Sequence, residues 1–338
     1  DELITMYHRA GIETIMITGD QSGTAFAIGQ QLGLSKDRPL QVLESSQLDD
    51  IEPDLLAALL KNTHVFARVS PAHKLKIVQA LQDAGYVVAM TGDGINDGPA
   101  LKAADIGVAM GGEGTNVARS VSEVVLEDDN LHTKTVADRQ GRTIYNNIRK
   151  MIHFMVSTNL TEIEVMLAGI AMGLGQPMNP MQLLWINLVT DIFPGLALSM
   201  EPAEPDIMER TPRDPDEAII EGRDLKRMTF ESGIIGVGTM GAYLWGMKRY
   251  GGGAAASTMA FNSLTLNELV HSFSSRSRYR NVLTTERTLP PHPHLTKAIL
   301  GMGALQAVVS VVPAFRRLLG TTPLGVADLG VLAASVLL

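Results

Sequence analysis

Cysteine is absent from the 338 residues, aromatic side chains make up only 5%, and basic residues (28) are outnumbered by acidic ones (36). Each shortage excludes something. Without thiols there is neither a disulfide framework nor a thiolate metal site, so soft-metal chemistry is not expected. A formal net charge of −8 argues against a nucleic-acid partner. What is present is a chain 45% hydrophobic and 19% charged, long enough for two domains. No basic-apolar leader opens it, and the first residues read as the middle of a domain, so a fragment of a longer protein is expected.

The composition changes along the chain. Residues 1–145 mix charges with four short apolar runs, ETIMIT (13–18), THVFARV (63–69), YVVAMT (86–91) and IGVAM (106–110). These alternate with helix-like segments, TAFAIGQQLGL (24–34) and HKLKIVQALQDAG (73–85). Near-continuous apolar strands separated by helices imply a parallel, doubly wound α/β sheet covered on both faces. Beyond about residue 150, long weakly charged stretches predict an all-α transmembrane helix bundle. The expected division is 1–141 for the α/β domain and 142–338 for the membrane domain.

Parallel sheets bind ligands at the carboxyl ends of their strands, and Thr18-Gly19-Asp20 and Thr91-Gly92-Asp93 fall there. Asp93 and Asp97 can supply or orient the carboxylate oxygens that Mg2+ demands. Glycines at 92, 94 and 98 let backbone amides approach an anion, and Asn96 adds a neutral hydrogen-bonding group. Lys74 can set a cation against a phosphoryl group, and the Thr18 hydroxyl can donate to one of its oxygens. Any one of these pieces is more often an ordinary turn or a solvated charge; the ordered set describes a Mg2+-phosphoryl site.

The stretches MITGD (16–20), ARVSPAHKLKIVQALQ (67–82), TGDGINDGPALKAADIGVAMG (91–111) and EVVLEDDN (123–130) resemble the phosphorylation domain of P-type cation-transporting ATPases, a branch of the haloacid dehalogenase superfamily. The resemblance implies ATP and Mg2+ as cofactors, with Asp93 as the Mg2+ ligand and Asp97 and Asn96 supporting it. It implies that Lys74 contacts an aspartyl phosphate whose oxygens are bound in the Thr18-Gly19-Asp20 turn. Gly98 stands where the family usually has alanine, a change expected to be tolerated. Neither the family's Asp-Lys-Thr-Gly nucleophile stretch nor its Thr-Gly-Glu segment occurs in these residues. Alone, the chain is therefore expected to form no phosphoenzyme.

Six membrane spans are expected, at 151–175, 178–200, 232–247, 254–274, 298–315 and, truncated, from Gly325. Segments 201–227 and 275–297 carry five Lys or Arg each, whereas 174–180 carries none, and 248–253 and 316–324 carry two each. The positive-inside rule puts the richer loops in the cytoplasm with the phosphoryl domain. Acids at membrane depth mark ion pathways. Asn159 and Glu162 share one helix face, and Asn187, Thr190 and Asp191 another; Pro194 frees a carbonyl beside Asp191. Glu164 reads as structural, and His153 as a packed histidine. The segment 187–215 resembles the sixth membrane helix and following loop of calcium and sodium pumps. Asn187, Thr190 and Asp191, with Asn159 and Glu162, match the calcium-pump ion site. By the same resemblance Leu266 stands where the family has the glutamate of the eighth helix, with Glu268 two residues away. The reading is thus an ATP-driven cation pump in a lipid bilayer, calcium-type. Its alternatives are another pump of that branch (Na+, K+ or H+ linked), a membrane-anchored phosphatase, and a non-catalytic membrane protein.

Overall fold

The computed structural model describes residues 2–36, 38–48, 58–60, 62–112, 114–277 and 289–336. They group into two compact units, Asp1–Gln140 with Asp206–Asp216, and Gly141–Pro205 with Glu217–Leu338.

The first unit is α/β, as its sequence predicts, and all its strands pair in parallel. They form two three-stranded sheets. One is ordered β1 (Met16–Ile17), β3 (Val65–Ala67), β2 (Val42–Glu44), and the other β4 (Ala89–Gly92), β5 (Ile106–Met110), β6 (Val124–Leu126). The central strand β3 is wholly buried, which is why Val65, Phe66 and Ala67 read as an unbroken apolar run. Burying Phe66 alone stabilises the fold by about 2–3 kcal/mol.

The Pro71–Asp83 helix joins the two cores. Ile77 packs with Leu48, Leu60 and Phe66, while its neighbour Val78 packs with Met90, Leu101 and Ala109. The helix starts where it does because Ser70 caps it, its hydroxyl accepting from the His73 N–H, and because Pro71 has no N–H to leave unpaired. The Ser22–Leu32 helix ends at Gly33, whose φ of 72° turns the chain. That helix lies so close to β3 that a Cβ on Gly29 would stand 2.8 Å from Val65.

The second unit is helical, and it differs from the expected set of spans. Among the described residues three helices are long and apolar enough to cross a membrane, His132–Ala171, Pro180–Ser199 and Pro293–Val311; Val326–Val336 is apolar but shorter. Helices also form at Gly222–Tyr250 and Ala254–Ser274, over the expected spans 232–247 and 254–274. Polar residues hold down their hydropathy. The second of them buries Thr258, Asn262, Ser263, Asn267 and Glu268. These two helices pack through small residues, and a Cβ on Gly246 would sit 2.7 Å from the Ala256 backbone. The expected 298–315 span is cut at Val311, because Pro313 begins a separate helix, Pro313–Leu319. Residues 337 and 338 of the last expected span lie outside the described residues.

Candidate functional site

At the carboxyl end of β1, Thr18, Gly19 and Asp20 form a tight turn. The Thr18 hydroxyl donates to Asp20 Oδ2 at 2.9 Å, and the Asp20 N–H donates back to Thr18 Oγ1 at 3.1 Å. The backbone of Val69 and Arg68 donates to Thr18 O and Asp20 O. That ties the turn to the loop from which the Lys74 helix departs.

At the end of β4 the chain turns through Ile95–Asp97 as a single 3-10 turn, and helix Gly98–Ala103 follows. Asp97 is buried at 5% exposure, and both its oxygens are used. Oδ1 accepts from Lys74 Nζ at 2.5 Å, and Oδ2 from the Gly94 N–H at 3.2 Å. A Cβ at Gly92 would meet Asp97 Cβ at 2.6 Å, so only glycine lets the turn close over this carboxylate. Asp93 and Asn96 are exposed. The structure thus brings Lys74 and Asp97 into direct contact and leaves the Asp93 carboxylate on the surface. The donor set fits Mg2+ through Asp93, with Asp97 serving to hold Lys74.

In the second unit, Asn187 donates to both oxygens of Glu162 at 2.8 Å and to Leu183 O at 3.1 Å. Residues Ile186–Thr190 form a π-helical turn, closed by Asp191 N–H to Ile186 O at 3.0 Å, and a new helix runs over Ile192–Ser199. Such turns recur at functional sites. Pro194 lies in the first turn of the new helix and offers no donor to Thr190 O. The Thr190 hydroxyl donates to Ile186 O. Asn159 is exposed and donates to Met155 O of its own helix, so it does not join Glu162 here. Glu164 accepts from Ser232, a packing role.

Two carboxylates stand out. Both oxygens of Glu268 are buried with no hydrogen-bond donor among the described residues, and Asp191, also buried, has only the nearby Thr158 hydroxyl to offset its burial. Glu268 is 0% exposed and interacts electrostatically with Asp191 and Glu162. The expectation that the eighth-helix position holds Leu266 is therefore corrected. Leu266 packs against the Ala242–Met259–Leu332 cluster, and Glu268 faces the other acids. A signal for it existed, since Glu268 is the one acid in the Ala254–Ser274 helix. Burying three carboxylates together is costly unless a cation neutralises them. Their oxygens, with those of Asn187 and Thr190, suit a hard cation taking six to eight oxygen ligands.

The fold defines a haloacid dehalogenase-like α/β unit followed by a helical unit that has candidate membrane-spanning helices and a buried acid cluster. Residues 1–105 match the family described as haloacid dehalogenase-like hydrolase, and 175–338 match that described as cation transporting ATPase, C-terminus. The chain is 39% identical over 343 residues to calcium-transporting ATPase 1 of Bacillus cereus (97% of this chain, 38% of the relative). It is 41% identical over 320 residues to the calcium-transporting ATPase of Bacillus subtilis (94% and 36%). It is 39% identical over 334 residues to probable cation-transporting ATPase F of Mycobacterium tuberculosis (96% and 36%). The chain belongs to the cation-transporting ATPase family, and it spans between 36% and 38% of the length of these relatives.

Proposed function

We propose that the chain forms the carboxy-terminal part of an ATP-driven P-type pump in a lipid bilayer and that the ion it carries is Ca2+. The observation that carries this reading is the meeting of Glu162, Asp191 and Glu268, the last of them buried without any donor among the described residues. The names of the Bacillus relatives support Ca2+ as the ion.

In this reading ATP phosphorylates an aspartate supplied by sequence outside these residues. Lys74, fixed by Asp97, presents its charge to the phosphoryl oxygens, and Thr18 and Gly19 donate to them. Asp93, with Asn96 as a neutral hydrogen-bonding neighbour, would hold Mg2+, which would neutralise the phosphoryl charge. The Leu131–Ala171 helix, which carries Asn159 and Glu162 without a break, and the 201–227 segment couple this chemistry to the ion site. The charged segments, with the phosphoryl unit, lie on the cytoplasmic side.

The test is a pump completed with the amino-terminal portion of the Bacillus subtilis relative. Phosphorylation from ATP should require Ca2+. Asp191→Asn should abolish that phosphorylation and leave phosphorylation from inorganic phosphate intact. Activation by Na+ or K+ in place of Ca2+ would overturn the ion assignment, and a charge-neutral change in 201–227 that left coupling intact would overturn the route.

A further inference from the structure

Outside the acid cluster, three helices of the second unit bring His153, Glu231 and His271 together, with one ligand atom from each within 4.8 Å of the others. Glu231 Oε2 lies 2.6 Å from His153 Nε2 and 3.8 Å from His271 Nε2. The other carboxylate oxygen, Oε1, accepts from Arg227 Nε at 2.7 Å, which orients the group and leaves Oε2 facing both imidazoles. Phe154 stacks on His271 with ring centroids 6.2 Å apart, and Ser275 Oγ stands 3.5 Å from its Nε2. Ring orientation is thus set from two sides.

We propose that His153, Glu231 and His271 bind a divalent transition-metal ion of the Zn2+ class, at a site separate from the Glu162–Asp191–Glu268 cluster. Two imidazoles and one carboxylate are a borderline set that favours Zn2+ over Ca2+. A tetrahedral ion with bonds of about 2.0–2.2 Å holds its ligand atoms roughly 3.3 Å apart. The 2.6 Å pair would open, the 3.8 Å pair would close, and the two imidazole nitrogens, within 4.8 Å of each other, would be drawn together. An ion would arrive from the His153 side. His153, Arg227 and Ser275 line a pocket shared with Lys150, Glu204 and Asp224. Nine residues, about 13 Å of helix rise, separate His153 from Glu162. His271 is only three residues from Glu268, so the test must tell the two sites apart. With a bound ion the site would clamp the Leu131–Ala171, Gly222–Tyr250 and Ala254–Ser274 helices to one another.

The experiment is titration of the full chain, in lipid nanodiscs, with Zn2+ and with Co2+ as a spectroscopic substitute. One ion per chain is expected, with an X-ray absorption signature of two imidazole nitrogens in the unaltered protein. His153→Gln and His271→Gln should each weaken binding at least tenfold, and Glu268→Gln should leave it unchanged. An ion without imidazole ligands in the unaltered chain would overturn the site, and that reading requires no variant to fold. So would histidine variants that bind as tightly as the unaltered chain, or binding lost in Glu268→Gln and kept in His153→Gln.

Discussion

Asn187 spans the gap between two helices and donates from a single amide nitrogen to both oxygens of Glu162, at 2.8 Å each. An amide has an oxygen as well as a nitrogen, so rotation about its last bond converts this donor into a cation ligand. In a completed pump, Asn187→Ala removes both functions. The expected loss is about 1–3 kcal/mol of cation binding, roughly a fivefold to 150-fold rise in the Ca2+ concentration that activates phosphorylation. An unchanged activation curve would remove Asn187 from the site.

Glu268 and Leu266 give opposite predictions from the same helix. Glu268→Gln replaces a buried, donorless carboxylate by a neutral isostere, so without cation the chain should gain a few degrees of thermal stability. The stabilisation that Ca2+ adds to the parent should disappear. Leu266→Ala instead opens a cavity, costs about 2–4 kcal/mol and leaves the Ca2+ response intact. Differential scanning with and without Ca2+ separates the two, and a retained Ca2+ shift in Glu268→Gln would restore the earlier register.

Why Glu268 was legible as a residue but not as a ligand is a matter of helix phase. Counting along AFNSLTLNEL by resemblance puts Leu266 at the ligand position, and a two-residue slip turns a helix face by about 200°. Only packing fixes that phase. The π-helical turn at Ile186–Thr190 was hidden for a related reason, since nothing in INLVT distinguishes an i→i−5 bond from the usual one. Strand β5, by contrast, coincides with IGVAM because a buried parallel strand must be apolar throughout. Strands β2 and β6 went unread as strands. Each is three residues long, β2 ending on Glu44 and β6 set between Glu123 and Glu127, too short for a pattern to declare itself. The Lys74–Asp97 pair was legible as chemistry, but its direct contact was not, because 23 residues separate the partners.

Two glycines of the phosphoryl turn should respond in opposite ways to alanine. Gly98 has helical φ and ψ of −49° and −50°, and a Cβ there would meet Val117 at an ordinary 3.6 Å. Gly98→Ala should stabilise by about 0.4–1 kcal/mol through the unfolded chain. Gly92→Ala would drive a methyl group to 2.6 Å from Asp97 Cβ. It should destabilise the turn and speed amide hydrogen exchange across 92–98. Equal exchange in the two variants would contradict the geometry.

His8 and His64 tie the first unit to pH. Burial, followed for His8 by the charge of Lys36, lowers its pKa below the ordinary 6.5, and burial is also the main cause for His64. His64 Nδ1 accepts from the Gln41 N–H at 3.3 Å, a bond that needs that nitrogen unprotonated. Below pH 6.5 the unfolded chain therefore binds more protons than the folded one. The stability these histidines contribute is complete above that pH and is lost as pH falls from 6.5 toward their folded values. Melting temperature should drop between pH 7 and 5, and His64→Gln should flatten that slope.

The contact between Lys74 and Asp97 joins stability to chemistry, and the two can be separated by substitution. Their side chains are 17% and 8% exposed, so the pair is partly desolvated and charge-assisted. Lys74→Met removes the cation and leaves a buried carboxylate with only the Gly94 N–H, costing about 1.5–3 kcal/mol. Lys74→Met combined with Asp97→Asn removes that orphaned charge and should recover most of the stability. Phosphorylation should not recover, because the phosphoryl oxygens would still lack the lysine cation. Hydrogen exchange over 92–98 reports the first effect and phosphorylation of a completed pump the second. A double variant that regained both would show that Lys74 acts only by satisfying Asp97.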